Sequence, residues 1–294
     1  MAAGGEDVLI RRAALLLAAA PLLPACGGGG DSVSATPVAE AASKTTEAGS
    51  YRTEFTMTME AEGQSFTMRG DGVFGYSPAR GRMTVDPGKL DELSGGAVGT
   101  DRLEFVFDGL VYYMRLPEGL MELGGGAKWL KIDLEEAGGE TGGADLGALQ
   151  QANQNPARLM QFLRGTTDDI EELGEEQVRG VETTHYRATV DLDAAAERTT
   201  EIGELSDEMR EQVRAEIERM KKQTGLETLP VDVWLDEDDL VRRIRMDFTF
   251  PLEGEEVGVE MTMDLFDFGV DVHVAPPPPD ETVDITEFAK QGGS

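Results

Sequence analysis

Apolar and polar residues alternate with a period of two over most of the chain from Tyr51 onward. Tyr51, Phe55, Met57 and Met59 share one phase, and the positions between them are mostly polar. This alternation predicts a β-strand with one buried face. After a Glu-Gly turn at 62–63 the pattern resumes at Phe66, Met68, Gly70, Gly72 and Phe74. The two segments are predicted to form an antiparallel hairpin.

The same alternation predicts further strands in both halves of the chain. In the first half, the apolar positions are Met83 and Val85, then Leu103, Phe105 and Phe107, then Leu110, Tyr112 and Met114, then Trp129, Leu130 and Ile132. In the second half, residues 177–192 predict a strand pair, followed by Val231, Val233 and Leu235, then Ile244, Met246, Phe248 and Phe250, then Val257, Val259, Met261, Met263 and Leu265. Prolines at 276–279 are expected to close the sheet, because proline cannot donate to a strand ladder.

Two stretches carry the helical spacing of apolar residues. The first lies within 146–163, with Pro156 in the first turn of a second helical piece. The second runs through Met209, Val213, Ile217 and Met220 and is expected to end at Gly225. Strands, then helices, then strands predict the α+β class: an antiparallel sheet with helices covering one face.

The N-terminal segment has the outline of an export signal. A basic pair at 11–12 precedes a short apolar run and a small residue before Cys26. The run is shorter than the roughly 20 residues that a membrane-spanning helix needs. Residues 23–26, Leu-Pro-Ala-Cys, resemble the lipobox of bacterial lipoproteins, in which the cysteine is acylated and becomes the first residue. The alternative is that Cys26 is an incidental thiol in an ordinary secretory leader. The sequence is compatible with a translation start at either Met1 or Val8.

The chain therefore divides into three predicted regions. Residues 1–25 form a lipoprotein signal peptide, and 26–49, rich in small and polar residues, form a flexible tether after the lipidated cysteine. Residues 50–290 form a single domain. Two or three acyl chains such as palmitate on Cys26 would anchor this domain stably, since each buried methylene contributes about 0.8 kcal/mol. The net charge of -31 argues against nucleic acid as a partner.

The predicted core face is unusually rich in methionine and phenylalanine. Methionine suits irregular, adaptable apolar surfaces, so this face predicts either a lining for a flexible ligand or a soft closed core. The candidate lining residues are Phe55, Met57, Met59, Phe66, Met68, Phe105, Phe107, Tyr112, Met246, Phe248, Met261 and Met263.

Several segments resemble the LppX/LprAFG family of actinobacterial cell-envelope lipoproteins. They are 155–163, 178–186, 229–236 and 267–277, together with the lipobox and its polar tether, and the similarity extends over roughly 51–277. The resemblance implies a LolA-like half-barrel, a strongly curved antiparallel sheet with helices covering the concave face. It also implies an apolar cavity that accepts acylated lipid or glycolipid.

The resemblance implies a membrane-anchored protein on the outer face of the plasma membrane that carries or presents lipid, with an export transporter as a further partner. The strong acidity departs from the family and favours a neutral or sparsely charged lipid. A second hypothesis is a non-enzymatic envelope adaptor or sensor with a filled core.

Enzymatic chemistry finds little support in the sequence, and neither catalytic residues nor a cofactor nor a metal are expected. His185 and His273 are predicted on the polar side of strands, in solvated or cross-strand roles. Residues 236–239, Asp-Glu-Asp-Asp, could attract a cation, but they lack the donor spacing of an EF-hand loop and favour a turn.

Overall fold

A computed structural model describes residues 37–61, 63–88, 102–121, 125–133, 170–194, 197, 207–252 and 255–285. The strands are β1 (Ser50–Ala61), β2 (Gln64–Tyr76), β3 (Ala79–Asp86), β4 (Leu103–Asp108), β5 (Val111–Arg115), β6 (Trp129–Asp133), β7 (Ile170–Val178), β8 (Val181–Asp191), β9 (Thr228–Leu235), β10 (Val241–Leu252), β11 (Glu255–Phe266) and β12 (Thr282–Asp284). The helices are α1 (Pro37–Glu47), α2 (Glu118–Met121) and α3 (Asp207–Thr224), and Pro279–Glu281 is a short 3-10 turn.

All twelve described strands belong to one open sheet. Their order is β12-β6-β5-β4-β3-β2-β1-β11-β10-β9-β8-β7, and every pairing is antiparallel except that of β12 with β6. Most neighbours are consecutive in sequence, as expected for strands joined by short hairpins. The exception at the centre is the pairing of β1 with β11, which joins the two halves of the chain. The predicted antiparallel sheet is therefore confirmed.

The end of the sheet differs from the sequence expectation. The prolines at 276–279 do not close the sheet, because β12 follows them and pairs in parallel with β6 at the opposite edge from β7. The chain between β11 and β12 runs without a strand ladder of its own from the middle of the sheet to that edge. A proline removes only its own backbone donor from a strand ladder. The three residues of β12, which follow the prolines, can therefore still pair with β6.

Turn residues define several of the hairpins. Arg179 and Gly180 both have positive φ, 53° and 80°, in the two-residue connection between β7 and β8. This is the geometry of a type I′ turn, whose twist matches that of paired strands. Gly225, with φ of 68°, follows the last residue of α3 and ends that helix as predicted.

Helix α1 belongs to the folded body and not to the tether. Val38 and Ala41 are fully buried in a cluster with residues of β8 to β11. Thr45 accepts a hydrogen bond from the backbone N–H of Val241 at 2.9 Å, which fixes the helix to the start of β10. The prediction of a tether through residue 49 is wrong for 37–47, because spaced small apolar residues suffice to dock a helix.

Two of the described helices contact the sheet. α1 contacts β9 and β10, and α3 contacts β10. The predicted helical stretch within 146–163 lies outside the described residues. That helices cover the whole concave face therefore stays a prediction.

We expect a body that begins at Tyr51 to be markedly less stable than one that begins at residue 27. The loss of Val38 alone removes a fully buried valine, whose burial contributes about 1.5 to 3 kcal/mol. Chemical denaturation of the two proteins measures the difference. The matched control is Val38→Asp in the longer protein, which should lose a similar amount; equal stability of all three would contradict a docked α1.

Candidate functional site

The sheet register brings every one of the predicted lining residues to the same face. At its centre, Met246 lies opposite Met261, Met261 opposite Met57, and Met57 opposite Met68. These four methionines, here called the methionine row, come from four adjacent strands, β10, β11, β1 and β2. Residues directly opposite in a sheet project from the same side. The side that carries the row is called the apolar face, and the other side is called the polar face.

The rows beside the methionine row are also apolar. On one side, Phe248 lies opposite Val259, which lies opposite Met59, which lies opposite Phe66. Beyond the methionine row in the opposite direction along the strands, the same face continues through the remaining predicted residues and their register partners. These are Met263, Phe55, Phe105, Phe107, Tyr112, Met83 and Met114.

Burial divides the predicted residues into two groups. Four of them, Met59, Phe66, Met68 and Met261, are buried, with 4 to 7% of each exposed. The other eight are only half-buried: Phe55, Met57, Phe105, Phe107, Tyr112, Met246, Phe248 and Met263. The buried group can serve only as structural support. The half-buried group is the part of the face that retains accessible apolar surface.

Glycines on the apolar face make room for phenyl rings. A Cβ built on Gly70 would lie 2.2 Å from the ring of Phe55, and one built on Gly81 would lie 2.5 Å from the ring of Phe107. Both rings therefore lie directly against the backbone of the neighbouring strand. An isolated glycine within a strand often marks such a close approach. The rings therefore lie close to the plane of the sheet and do not project far from it.

An aromatic stripe crosses one end of the apolar face. Its successive ring centroids are 5.5 to 5.8 Å apart, within the range of favourable aromatic pairs. The members in spatial order are Tyr76, Tyr51, Phe74, Phe107 and Tyr112. The candidate list from the sequence omitted Tyr51, Phe74 and Tyr76. Their place in the strand alternation was a signal that could have included them.

The tyrosine hydroxyls of the stripe lie in apolar surroundings. Burial raises the pKa of Tyr112 to about 12 and also raises the pKa of Tyr51. The pKa of Tyr76 is raised as well, first by burial and then by its neighbour Tyr51. These groups therefore stay neutral at physiological pH, and this end of the face carries no charge from its tyrosines.

Two closed clusters bound the half-buried surface. α1 packs against Val231, Val233 and Leu265 on one side, with Met246 and Met263 at the margin of that cluster. The second cluster encloses Met59 and Phe66 and receives Leu226, just after α3. Both consist of apolar side chains packed against one another. The apolar face is thus partly core and partly surface, and the boundary runs through the methionine row.

The polar face holds a buried cross-strand cluster around His185. The imidazole stacks on the ring of Trp234 with centroids 4.0 Å apart, and its Nε2 lies 3.2 Å from Asp232 Oδ1. Trp234 Nε1 donates to Glu176 Oε2 at 2.9 Å. Arg187 donates two hydrogen bonds to Asp232, at 2.7 and 3.0 Å. The cross-strand interpretation of His185 is therefore confirmed.

Desolvation by burial would raise the pKa of Asp232. The guanidinium of Arg187 and the imidazole of His185 outweigh that effect and hold the pKa of Asp232 below its ordinary value. Every group in the cluster faces another member, so its arrangement is typical of a structural network.

Two other predicted positions are resolved by the structure. His273 is exposed in the segment after β11, so its assignment to a strand is wrong, because the ladder ends at Phe266. The turn predicted at 236–239 is confirmed: Asp236 Oδ1 accepts hydrogen bonds from the N–H groups of Asp238 and Leu240, and its Oδ2 accepts one from Arg242.

The described residues contain no cluster of three or more histidine, cysteine, aspartate or glutamate side chains placed to hold a metal ion. Among the helices that the structure describes, none has the length and apolar character to cross a membrane. Cys26 and the predicted signal peptide lie outside the described ranges.

An open groove of about 650 Å³ lies on the polar face, across β1 to β4. Its lining includes four arginines, Arg52, Arg69, Arg82 and Arg102. Of the residues predicted for an apolar cavity, Phe55 contributes to this lining. The groove is therefore distinct from the methionine row, and the sequence pattern gave no indication of it.

No family model matches the chain. An uncharacterized 31.2 kDa protein from the rplA-rplJ intergenic region of Streptomyces griseus is 29% identical over 275 residues, which cover 88% of this chain and 83% of that protein. A protein of Streptomyces coelicolor named as a candidate lipoprotein is 27% identical over 269 residues, 89% of this chain and 78% of that protein.

Solved structures of similar proteins include LprF from Mycobacterium bovis, at 14% identity, 85% coverage of this chain, 99% coverage of that chain and a TM-score of 0.45. LppX from Mycobacterium tuberculosis matches at 11% identity, 81% and 98% coverage and a TM-score of 0.44. Both names fall within the LppX/LprAFG family that the sequence motifs resemble.

Proposed function

We propose that this chain is a membrane-anchored lipoprotein that binds acyl chains on its apolar face and carries or presents lipid in the cell envelope. The observation that carries the proposal is the register of the sheet. It places methionines of four adjacent strands in one row and leaves aromatic and methionine side chains beside it half-buried.

The chemistry of this face fits a hydrocarbon ligand. Methionine side chains have three rotatable bonds and a polarizable sulfur, so they adapt to a chain that itself has many conformations. The low-lying rings of Phe55 and Phe107 add flat apolar surface without obstructing it.

The anchor rests on the sequence around Cys26. The lipobox-like residues 23–26 and the small, polar residues that follow suit an acylated N-terminus. The similar Streptomyces coelicolor protein, named as a candidate lipoprotein, supports the same arrangement. Acylation at this position would hold the body on the outer face of the plasma membrane, where lipid can be exchanged and an export transporter could meet it.

Lipid extraction tests the proposal directly. The mature chain from residue 27, which lacks the acylated cysteine, is purified from a bacterial host and extracted for mass spectrometry. We expect close to one lipid per protein, and after delipidation the protein should take up an acyl-chain dye. A clean extract together with no dye uptake would contradict the proposal and favour the adaptor or sensor hypothesis.

The adaptor hypothesis has its own supporting observation. Met59 and Phe66 pack in a closed cluster with Phe250, Val257 and Val259, so one end of the apolar face is filled by the protein itself. If the same packing extended over the whole methionine row, the domain would have no room for a guest. The extraction experiment separates the two functions.

A further inference from the structure

The groove on the polar face is built from alternating rows of charge. In one row, Arg52 lies opposite Val73, and Val73 lies opposite Arg82. In the next row along the strands, Glu54 lies opposite Asp71. All five side chains line the groove. Four arginines and four carboxylates line it in total, so the groove is far less acidic than the chain as a whole.

The carboxylates around Arg82 are bound to other groups. Asp71 pairs with Arg102 at 3.7 Å, and Glu104 pairs with Arg115 at 3.6 Å. Glu54 accepts a hydrogen bond from Arg179 at 2.8 Å, and Asp108 lies 3.8 Å from Arg80. Asp86, the remaining carboxylate of the lining, accepts a hydrogen bond from the backbone N–H of Gly88 at 2.9 Å. Within the described residues, none of these carboxylates pairs with Arg82.

The side chain of Arg82 has no ion pair or hydrogen bond in the part of the chain that the structure describes. Its direct neighbours across the strands are two valines, Val73 and Val106. The chain has 57 acidic residues against 26 lysines and arginines, so an arginine without an acidic partner is unexpected. The guanidinium is exposed and remains available to a ligand.

Arg52 completes the geometry. It stands in the same row as Arg82 with only Val73 between them, so the two backbones are two strand spacings apart, about 9.6 Å. The one ion pair that Arg52 makes within the described residues is a loose contact of 3.6 Å with Asp267, with more than half of each side chain exposed. Such pairs contribute little, so Arg52 can turn toward a stronger acceptor. The small side chain of Val73 leaves space between the two arginines.

From this geometry we infer that Arg52 and Arg82 form a clamp for an oxyanion of the phosphate type. The planar guanidinium matches phosphate oxygens with two parallel N–H donors, and two such groups facing one another can hold an anion from both sides. The repulsion from the distant acidic residues is screened over about 8 Å at physiological salt. This site is separate from the apolar face and does not depend on lipid binding there.

Calorimetric titration of the full chain in detergent micelles tests the clamp. The probes are inorganic phosphate, sn-glycerol 3-phosphate, and dihexanoyl phosphatidylglycerol below its micelle concentration. The variants are Arg82→Gln and Arg52→Gln, with Arg69→Gln as the matched control. Arg69 lines the same groove and its removal changes the net charge equally, but it stands at the other end, directly opposite Asp86.

We expect each clamp variant to weaken phosphate or glycerol phosphate binding about tenfold and Arg69→Gln to weaken it less than threefold. Binding of phosphatidylglycerol alone, with the same dependence on Arg82, would identify a lipid headgroup as the source of the phosphate. Absence of any binding that depends on Arg82, or equal losses in all three variants, would overturn the clamp. Uptake of an acyl-chain dye should be unchanged in every variant, so failure of the clamp leaves the proposed function to its own test.

Discussion

Met246→Lys is expected to abolish the uptake of an acyl-chain dye while leaving the sheet folded. Met246 is half-buried, and its register neighbours Val231 and Met261 are each 7% exposed, so the position lies at the margin between core and accessible surface. A lysine there can extend its ammonium toward solvent, which spares the fold. A bound hydrocarbon would have to strip water from that charge, and we expect uptake to fall at least tenfold.

Circular dichroism, the thermal midpoint and dye fluorescence measure the two effects in the same samples. Met246→Leu is the conservative control and should retain uptake. Thr249→Lys adds the same charge to an exposed residue of β10 in the opposite phase of the strand and should also retain uptake. Unfolding of Met246→Lys would indicate a dry core at this position. Normal uptake by that variant would remove Met246 from the binding surface.

Asp232→Ala is expected to destabilise the domain by about 2 to 3 kcal/mol at neutral pH. Asp232 is 7% exposed, and its carboxylate accepts two hydrogen bonds from Arg187. Hydrogen bonds to a charged group contribute about 1.5 to 3 kcal/mol. Because the side chain of Arg187 is half exposed, water can replace part of the hydrogen bonding that Arg187 loses in the variant, which limits the destabilisation. Urea denaturation measures the change.

The effect of Asp232 should disappear in acid. Because its pKa in the folded state lies below its ordinary value, the charged carboxylate stabilises the fold fully above the unfolded pKa of about 3.9. The stabilisation is lost as the pH falls through the folded pKa. The difference between wild type and Asp232→Ala should therefore shrink steadily below about pH 4. Asp191→Ala, an exposed carboxylate on the neighbouring β8, is the control; a difference between wild type and Asp232→Ala that does not change with pH would contradict the electrostatic origin.

The face of each predicted side chain followed from the sequence, because alternation with a period of two is a local property of a strand. Phe55, Met57 and Met59 had to share a side whatever their strand paired with. The same reasoning placed His185 opposite that side. It could not say that His185 would stack on Trp234, since the two residues come from β8 and β9, which are separated in sequence by helix α3 and whose pairing is set by tertiary contacts.

The sequence did not identify helix α1. Residues 37–47 contain few large apolar side chains and read as part of a polar tether. The helix is stabilised by tertiary contacts, namely the burial of Val38 and Ala41 and the hydrogen bond from Val241 to Thr45. Packing on a preformed face decides such short helices more than intrinsic propensity does.

By itself, the sequence determined a β-rich acidic chain with an apolar and a polar side to each strand. Only the tertiary structure decided that β1 pairs with β11, where Thr53 donates to a carbonyl 211 residues away. That pairing creates the methionine row, because it joins β10 and β11 to β1 and β2. The physical reason is that strand periodicity is encoded locally, whereas the choice of neighbours depends on contacts between distant segments that no local pattern specifies.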